Sequence, residues 1–190
     1  MGSFQTILKK YLDVFSDQEM YFVNDIRNLE LFKENPTNRS ADEVRMKLSA
    51  VNDNDLNVNN ITEEMIVHIL KLKIDTRLQK GDLSLVEDIG KLNARGQSFT
   101  LLHFASVYCN FHHPGVFPIY SEQYHDFYKR YIKENNLPLD PEKISSYEVF
   151  LKALIDFVER WKLKGKMDYL HIRKFAWLYA ESILRESVSS

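Results

Sequence analysis

Arg95–Gln123 reads RGQSFTLLHFASVYCNFHHPGVFPIYSEQ, and the order of residue types in it sets the architecture. Gly96 interrupts a helical pattern and marks Ala94 to Ser98 as a hairpin. From Phe99 to Phe111 apolar residues fall on most sides of a helix, as they do when one helix is surrounded by others. Pro114, Gly115 and Pro118 then make a turn, and the next helix is predicted from Ser121. One apolar helix is therefore expected at the centre, entered through a glycine hairpin and left through a proline turn.

Outward from this stretch the periodicity is helical throughout. Upstream, Phe4, Ile7, Leu8, Tyr11, Leu12 and Phe15 form one stripe, and a second helix is predicted over Gln18 to Lys33, before Pro36. Ser40 caps a third helix with Val44, Leu48 and Val51 inward, and the Asn/Asp-rich run NDNDLNVNN ends that pattern. Thr62 is expected to cap a helix bearing Ile66, Ile69, Leu70, Ile74 and Leu78, stopped by Gly81. Asp82 is expected to cap the next, 82–93, whose Leu83, Val86, Ile89 and Leu92 share a face. Downstream, Tyr124, Phe127, Tyr128, Tyr131 and Ile132 group on one side of a helix. Ser145 and Glu148 have the spacing of a capping box before the stripe Phe150, Ala153, Leu154, Phe157, Val158 and Trp161. After Gly165, Tyr169, Ile172, Ala176, Tyr179 and Ile183 repeat at helical spacing. Strand signals are nearly absent, so the expected class is all-α.

The chain has 190 residues, of which 44% are hydrophobic. That is enough for one sizeable core, as a single helical domain over 1–190 or two tightly packed helical lobes. The formal charge is −2 and the isoelectric point about 6.3, without the strong basic excess common in nucleic-acid binders. Charge is uneven, however. From Lys91 to Lys133 there are five basic and two acidic residues, a local +3 that leaves −5 elsewhere. A basic run, RWKLKGK, also ends the long helix predicted after Ser145, where the helix dipole favours cations. Cys109 is the only cysteine, which excludes an internal disulfide and any CxxC pair and fits a reducing cytoplasm. No apolar run approaches the length of a membrane span, and no membrane partner is expected.

Three constellations invite chemistry. His103, His112, His113 and His125 fall close together, but none form the i, i+4 pair that aims two imidazoles at one ion, so no metal site is assigned. Cys109 lies in the apolar helix, where thiols are usually inert packing. The 12 Phe and 10 Tyr residues fall mostly on the helical stripes, as core residues do.

The run Arg95, Gly96, Gln97, Ser98, Phe99, Thr100, followed by the apolar helix and then Pro118, Ile119, Tyr120, Ser121, resembles the core of the helix-hairpin-helix DNA glycosylases. The likeness is closest to the small all-helical 8-oxoguanine glycosylases of archaeal type. The later segment DYLHIRKFAWLYAE resembles the helix that closes those proteins, with Ala176-Trp177 in place of Leu-Trp. The resemblance covers roughly residues 82–180 and implies a multi-helix helix-hairpin-helix fold. It also implies that the chemistry is missing. Thr100 stands where the family has its Schiff-base lysine, and Ser121 where it has its catalytic aspartate; neither supplies an amine or a carboxylate. Glu122 is adjacent, but a helical step of about 100° would separate it from Ser121, so it would not simply replace the aspartate. The resemblance implies a cleft of Thr100, His103, Tyr120, Ser121 and Glu122, and phosphate contacts from Lys91, Arg95, Gly96 and Ser98. It assigns no catalytic residue, metal or cofactor. The expected function is weak binding of DNA or a nucleotide in an inherited cleft without excision. The alternatives are a helical protein-interaction or structural module, and an enzyme built on the histidine-rich stretch.

Overall fold

The computed structural model describes residues 23–52, 58–165 and 167–177. The expected first stripe, Phe4 to Phe15, and Tyr179 and Ile183 lie outside them. In chain order the described elements are α1 (Val23–Glu34), α2 (Ala41–Asn52), α3 (Thr62–Leu72), α4 (Asp75–Lys80) and α5 (Leu85–Gly90). A β-ribbon of β1 (Lys91–Ala94) and β2 (Gln97–Thr100) follows, then α6 (Leu102–His112), α7 (His125–Glu134) and α8 (Tyr147–Arg160). A last helix, α9, covers 169–177. Short 3-10 turns at Asn59–Ile61, Glu122–Tyr124 and Pro141–Lys143 lead into α3, into α7 and toward α8.

The central helix is α6. Every residue from Phe104 to Phe111 is buried, because α1, α2 and α5 all pack on it. On α2, Val44, Leu48 and Val51 are fully buried as their spacing predicts. Ser40 closes a capping box: the Glu43 amide donates to Ser40 Oγ (3.2 Å), and the Ser40 amide donates to Glu43 Oε2 (3.3 Å). The predicted aromatic stripes also meet in the core. Phe127 and Tyr131 pack edge-on against Phe157, at 5.7 and 5.4 Å between ring centres, and Phe157 stacks on Phe175 of α9 at 6.1 Å.

Several local expectations are corrected. The helix expected over 82–93 ends at Gly90, and the residues up to Thr100 form an antiparallel ribbon with Lys91 opposite Thr100 and Ala94 opposite Gln97. Leu92 and Ala94 are buried while Lys91 and Asn93 are exposed, a period of two rather than 3.6. The two turn residues, Arg95 and Gly96, have φ of 52° and 73°, as a two-residue hairpin of primed type requires. Among the described residues the fold is thus dominated by helices but carries one two-stranded sheet. Asp82 is not an N-cap; its carboxylate accepts from the Ser84 amide at 3.1 Å and from Arg77 Nε at 2.7 Å. The helix expected from Thr62 to Gly81 breaks at Lys73, which is left-handed at φ 49°, and restarts as α4. Thr62 is its first residue, with Ile61 at the cap. Ser146 rather than Ser145 precedes α8, and it makes no capping bond. Among the described residues no helix is long and apolar enough to cross a membrane.

Candidate functional site

The cavity of interest lies where the ribbon ends and α6 begins. Leu101 donates its amide to the carbonyl of Gly90 at 2.7 Å, which joins the end of α5 to the start of α6. A Cβ on Gly90 would stand 3.3 Å from Leu102 Cδ2, so the absent side chain permits this close crossing. Beyond α6 the chain returns through Pro118 and is pinned at Tyr120. The Tyr120 amide donates to Ser106 Oγ at 2.9 Å, and Ser106 Oγ donates to the His103 carbonyl at 2.8 Å. Residues 120–123 are thereby held against the first turn of α6.

The result is a polar cavity of about 700 Å³ lined by Thr100 to Phe104, Tyr120 to Gln123, and Ser145. Thr100, His103, Tyr120, Ser121 and Glu122 therefore share one cavity. It opens at the amino end of α6, whose cap, Leu101, provides no side-chain hydrogen bond, so the positive end of the helix faces it. Tyr120 is the most constrained of the five. Its hydroxyl donates to the Ser145 carbonyl at 3.2 Å, which makes His125 Nε2, 3.0 Å away, the donor to the tyrosine oxygen. Burial, reinforced by the Glu122 charge, pushes the Tyr120 phenol up to about 12. Burial and then the charge of Arg173 bring His103 down to about 4, so it faces the cavity neutral at pH 7. Arg173, on α9, also hydrogen-bonds Tyr124, while its Nη1 is buried without a hydrogen-bond partner.

Glu122 corrects the helical-step expectation. Ser121 is extended, with φ −151° and ψ 135°, and caps the 3-10 turn by accepting from the Gln123 amide. The 100° rotation of a helix does not apply there, and both residues line the cavity, Ser121 buried and Glu122 exposed at the rim. A carboxylate is thus present beside the position that lacks one, in water rather than in a low-dielectric pocket.

Lys91, Arg95, Gly96 and Ser98 lie on the ribbon, not in the cavity lining. Lys91, Asn93, Ser98 and Thr100 are all exposed, and the paired register puts them on one face, which runs from the cavity lip to the turn. The turn is roughly 13 Å from Thr100 at about 3.3 Å per residue. Each basic residue of the +3 segment has a carboxylate partner from beyond that segment. Lys91 pairs with Glu87 and Arg95 with Glu64, both at 2.5 Å, and Arg130 with Glu134 at 2.6 Å. Lys129 and Lys133 share Glu142 at 2.8 and 3.6 Å. The local +3 is therefore dressed with glutamates.

The remaining histidines and Cys109 are dispersed. Cys109 is fully buried and its thiol is pushed well above the usual range by that burial. His112 faces a polar cluster on the other side of α6, and no group of three His, Cys, Asp or Glu side chains among the described residues has the arrangement of a metal site. That polar cluster was not anticipated. Lys47, with no exposed surface, donates to the Thr37 carbonyl at 2.5 Å and to Asn38 Oδ1 at 2.9 Å. Tyr108 donates to the same Asn38 oxygen at 2.6 Å, and the Asn38 amide group donates to Asp75 at 2.8 Å and lies 3.2 Å from His112 Nε2. The signal was present in the sequence: Lys47 falls on the stripe Val44, Leu48, Val51, where a charge must be buried with partners.

Residues 7–116 match the HI_0787_N family, described as an N-terminal domain. An uncharacterized protein of Haemophilus influenzae is 33% identical over 122 residues, which is 63% of this chain and 57% of that relative. The match thus spans little more than half of the relative's length. No solved structure matches. The family region contains the ribbon and α6 up to Val116, so it supplies the Thr100 to Phe104 wall of the cavity, while Tyr120 to Gln123 and Ser145 lie past it. Since the matched region is more than half of the 190 residues, this chain belongs to the HI_0787_N family.

Proposed function

We propose that this protein is a glycosylase-like helical binder that holds a base of a DNA strand, without excising it, in the cavity between the ribbon and Tyr120. The observation that carries the reading is the convergence of Thr100 and Ser121 on one cavity with His103, Tyr120 and Glu122. Among the described residues no lysine or arginine lines it, and its hydroxyl, imidazole and carboxylate groups suit the hydrogen-bonding edges of a base, while phosphates are left to the ribbon. A free mononucleotide filling the cavity would not reach Arg95, roughly 13 Å along the ribbon. A strand would reach both.

Chemistry is absent from this reading for a physical reason. Thr100 and Ser121 bring hydroxyls where an amine nucleophile and a charge-stabilising carboxylate would be needed. Exposed Glu122 is solvated, which weakens what a charge can do for a transition state. Incubation of excess protein with labelled duplex containing 8-oxoguanine is expected to give no excision or strand cleavage. Fluorescence anisotropy at low salt is expected to show weak binding of single- or double-stranded DNA that fades steeply as salt rises. Product formation lost on Glu122→Gln would overturn the non-excising reading, and binding indifferent to Lys91→Ala with Arg95→Ala would remove the ribbon from it.

A second reading, a protein-interaction or structural module, is favoured by the glutamate partners of all five basic residues. Absence of any DNA binding at high protein concentration would select it.

A further inference from the structure

Arg95 occupies a position that its residue type does not favour. It is the first residue of a two-residue hairpin turn at φ 52°, where Asn, Asp or Gly is preferred because a larger side chain is crowded in the left-handed region. Its contact is an ion pair with Glu64 of α3, at 2.5 Å, with the arginine side chain 62% exposed and the glutamate 28%. The arginine end of the pair is exposed and screened, so the turn gives the scaffold no reason to carry arginine there and the pair serves mainly the partly buried glutamate. Glu64 is only half served by the arrangement: its second oxygen, Oε2, is buried without a hydrogen-bond partner. Beside them, Lys91 is held by Glu87.

We propose that Glu64 is an autoinhibitory counter-ion: its carboxylate occupies the guanidinium of Arg95 in place of a phosphodiester and keeps the ribbon from engaging a strand. The inference rests on the nucleic-acid reading given above. A phosphodiester and a carboxylate are both anionic acceptors for the same guanidinium; Glu64 takes its Nε–H and neutralises its charge, so a phosphate reaching the remaining N–H groups meets a weaker attraction. When Arg95 turns to a phosphate, Glu64 is left partly buried and without its cation, and this cost opposes binding. Neutralising Glu64 removes both the competitor and the cost, whereas neutralising an acidic neighbour that does not touch the ribbon removes neither. Glu63 is that neighbour: it precedes Glu64 on α3 and pairs with Arg45 at 2.9 Å.

The test is anisotropy of a fluorescein-labelled oligonucleotide with the full chain at low salt, using wild type, Glu64→Gln, Glu63→Gln, Arg95→Asn and the double variant Glu64→Gln/Arg95→Asn. Thermal melting of each confirms that it is folded; in Arg95→Asn the gain from a residue suited to the turn is offset by the Glu64 carboxylate left without its cation. Glu64→Gln is expected to bind about threefold to tenfold tighter than wild type, with the gain shrinking as salt rises. Glu63→Gln is expected to gain less than twofold, and the double variant to lose the gain. If wild type binds and Glu64→Gln does not exceed it, or if Glu63→Gln gains as much, the counter-ion role is overturned while the nucleic-acid reading stands. If no variant binds at all, the nucleic-acid reading fails and takes this inference with it.

Discussion

His103 and His112 stand on opposite sides of α6, one in the cavity and one against Asn38, and both are held neutral by burial. Their folded values, about 4 and about 3, lie below the ordinary 6.5. Unfolded chains therefore bind more protons than folded ones as pH falls from 6.5 toward those values, and stability is lost in that window. Above 6.5 both forms are neutral and the contribution is fully present. Urea unfolding is expected to give a constant midpoint between about pH 6.5 and 7.5 and a loss on the order of 2–3 kcal/mol per histidine by pH 4. His103→Gln should make the slope shallower. A midpoint flat down to pH 4, or a wild-type slope in the variant, would show that these imidazoles titrate freely. At this scale the sequence reading singled out Thr100 and Ser121, 21 positions apart, and both line the one cavity. The relation of Glu122 to Ser121 was misread because a helical step was assumed where Ser121 is extended, and backbone state is not written in residue type. Lys47 was overlooked because its partners, Thr37 and Asn38, are set by tertiary packing rather than spacing.

Between elements, glycines at left-handed positions mark the joints. Gly81 ends α4 at φ 66°, and a Cβ there would meet Val116 Cγ1 at 2.8 Å; Gly96, at φ 73°, has nothing within 4 Å. Alanine at Gly96 is therefore expected to cost about 1 kcal/mol, the price of the left-handed backbone alone. At Gly81 the same change should cost more, about 2 kcal/mol or above, since Val116 must also move. Chemical denaturation of the two variants side by side checks the order, and equal losses would mean that Val116 yields freely. The same region shows why the ribbon was read as helix. Leu92 satisfies both the i+3 spacing from Ile89 and the alternation with Ala94, and only the Arg95-Gly96 turn separates the two periods. Long stripes such as Phe150 to Val158 carried no such ambiguity, and α8 lies where they predict.

For the molecule as a whole, packing order explains how a cavity arises from helices. The buried run Phe104 to Phe111 fixes α6 at the centre, so its first turn has a fixed place at the edge of the core. The return through Pro118 to Tyr120, tied to Ser106, closes the far wall. Neither wall is a site alone, and the family region holds only the nearer one. Overall charge was a poor guide to this surface, because the glutamates that neutralise the basic segment come from Glu64, Glu87, Glu134 and Glu142, which lie outside it in sequence. Thr100 gives access to the cavity in which we propose that a base sits, being exposed at the end of β2 and on the lip. Thr100→Trp should fill the mouth without disturbing the core. The most direct measurement is anisotropy of a labelled single-stranded oligonucleotide at low salt with wild type and this variant: weak binding by wild type, reduced at least about tenfold in Thr100→Trp, is the expected result, and equal binding by the two proteins would contradict the assignment of the cavity as the site.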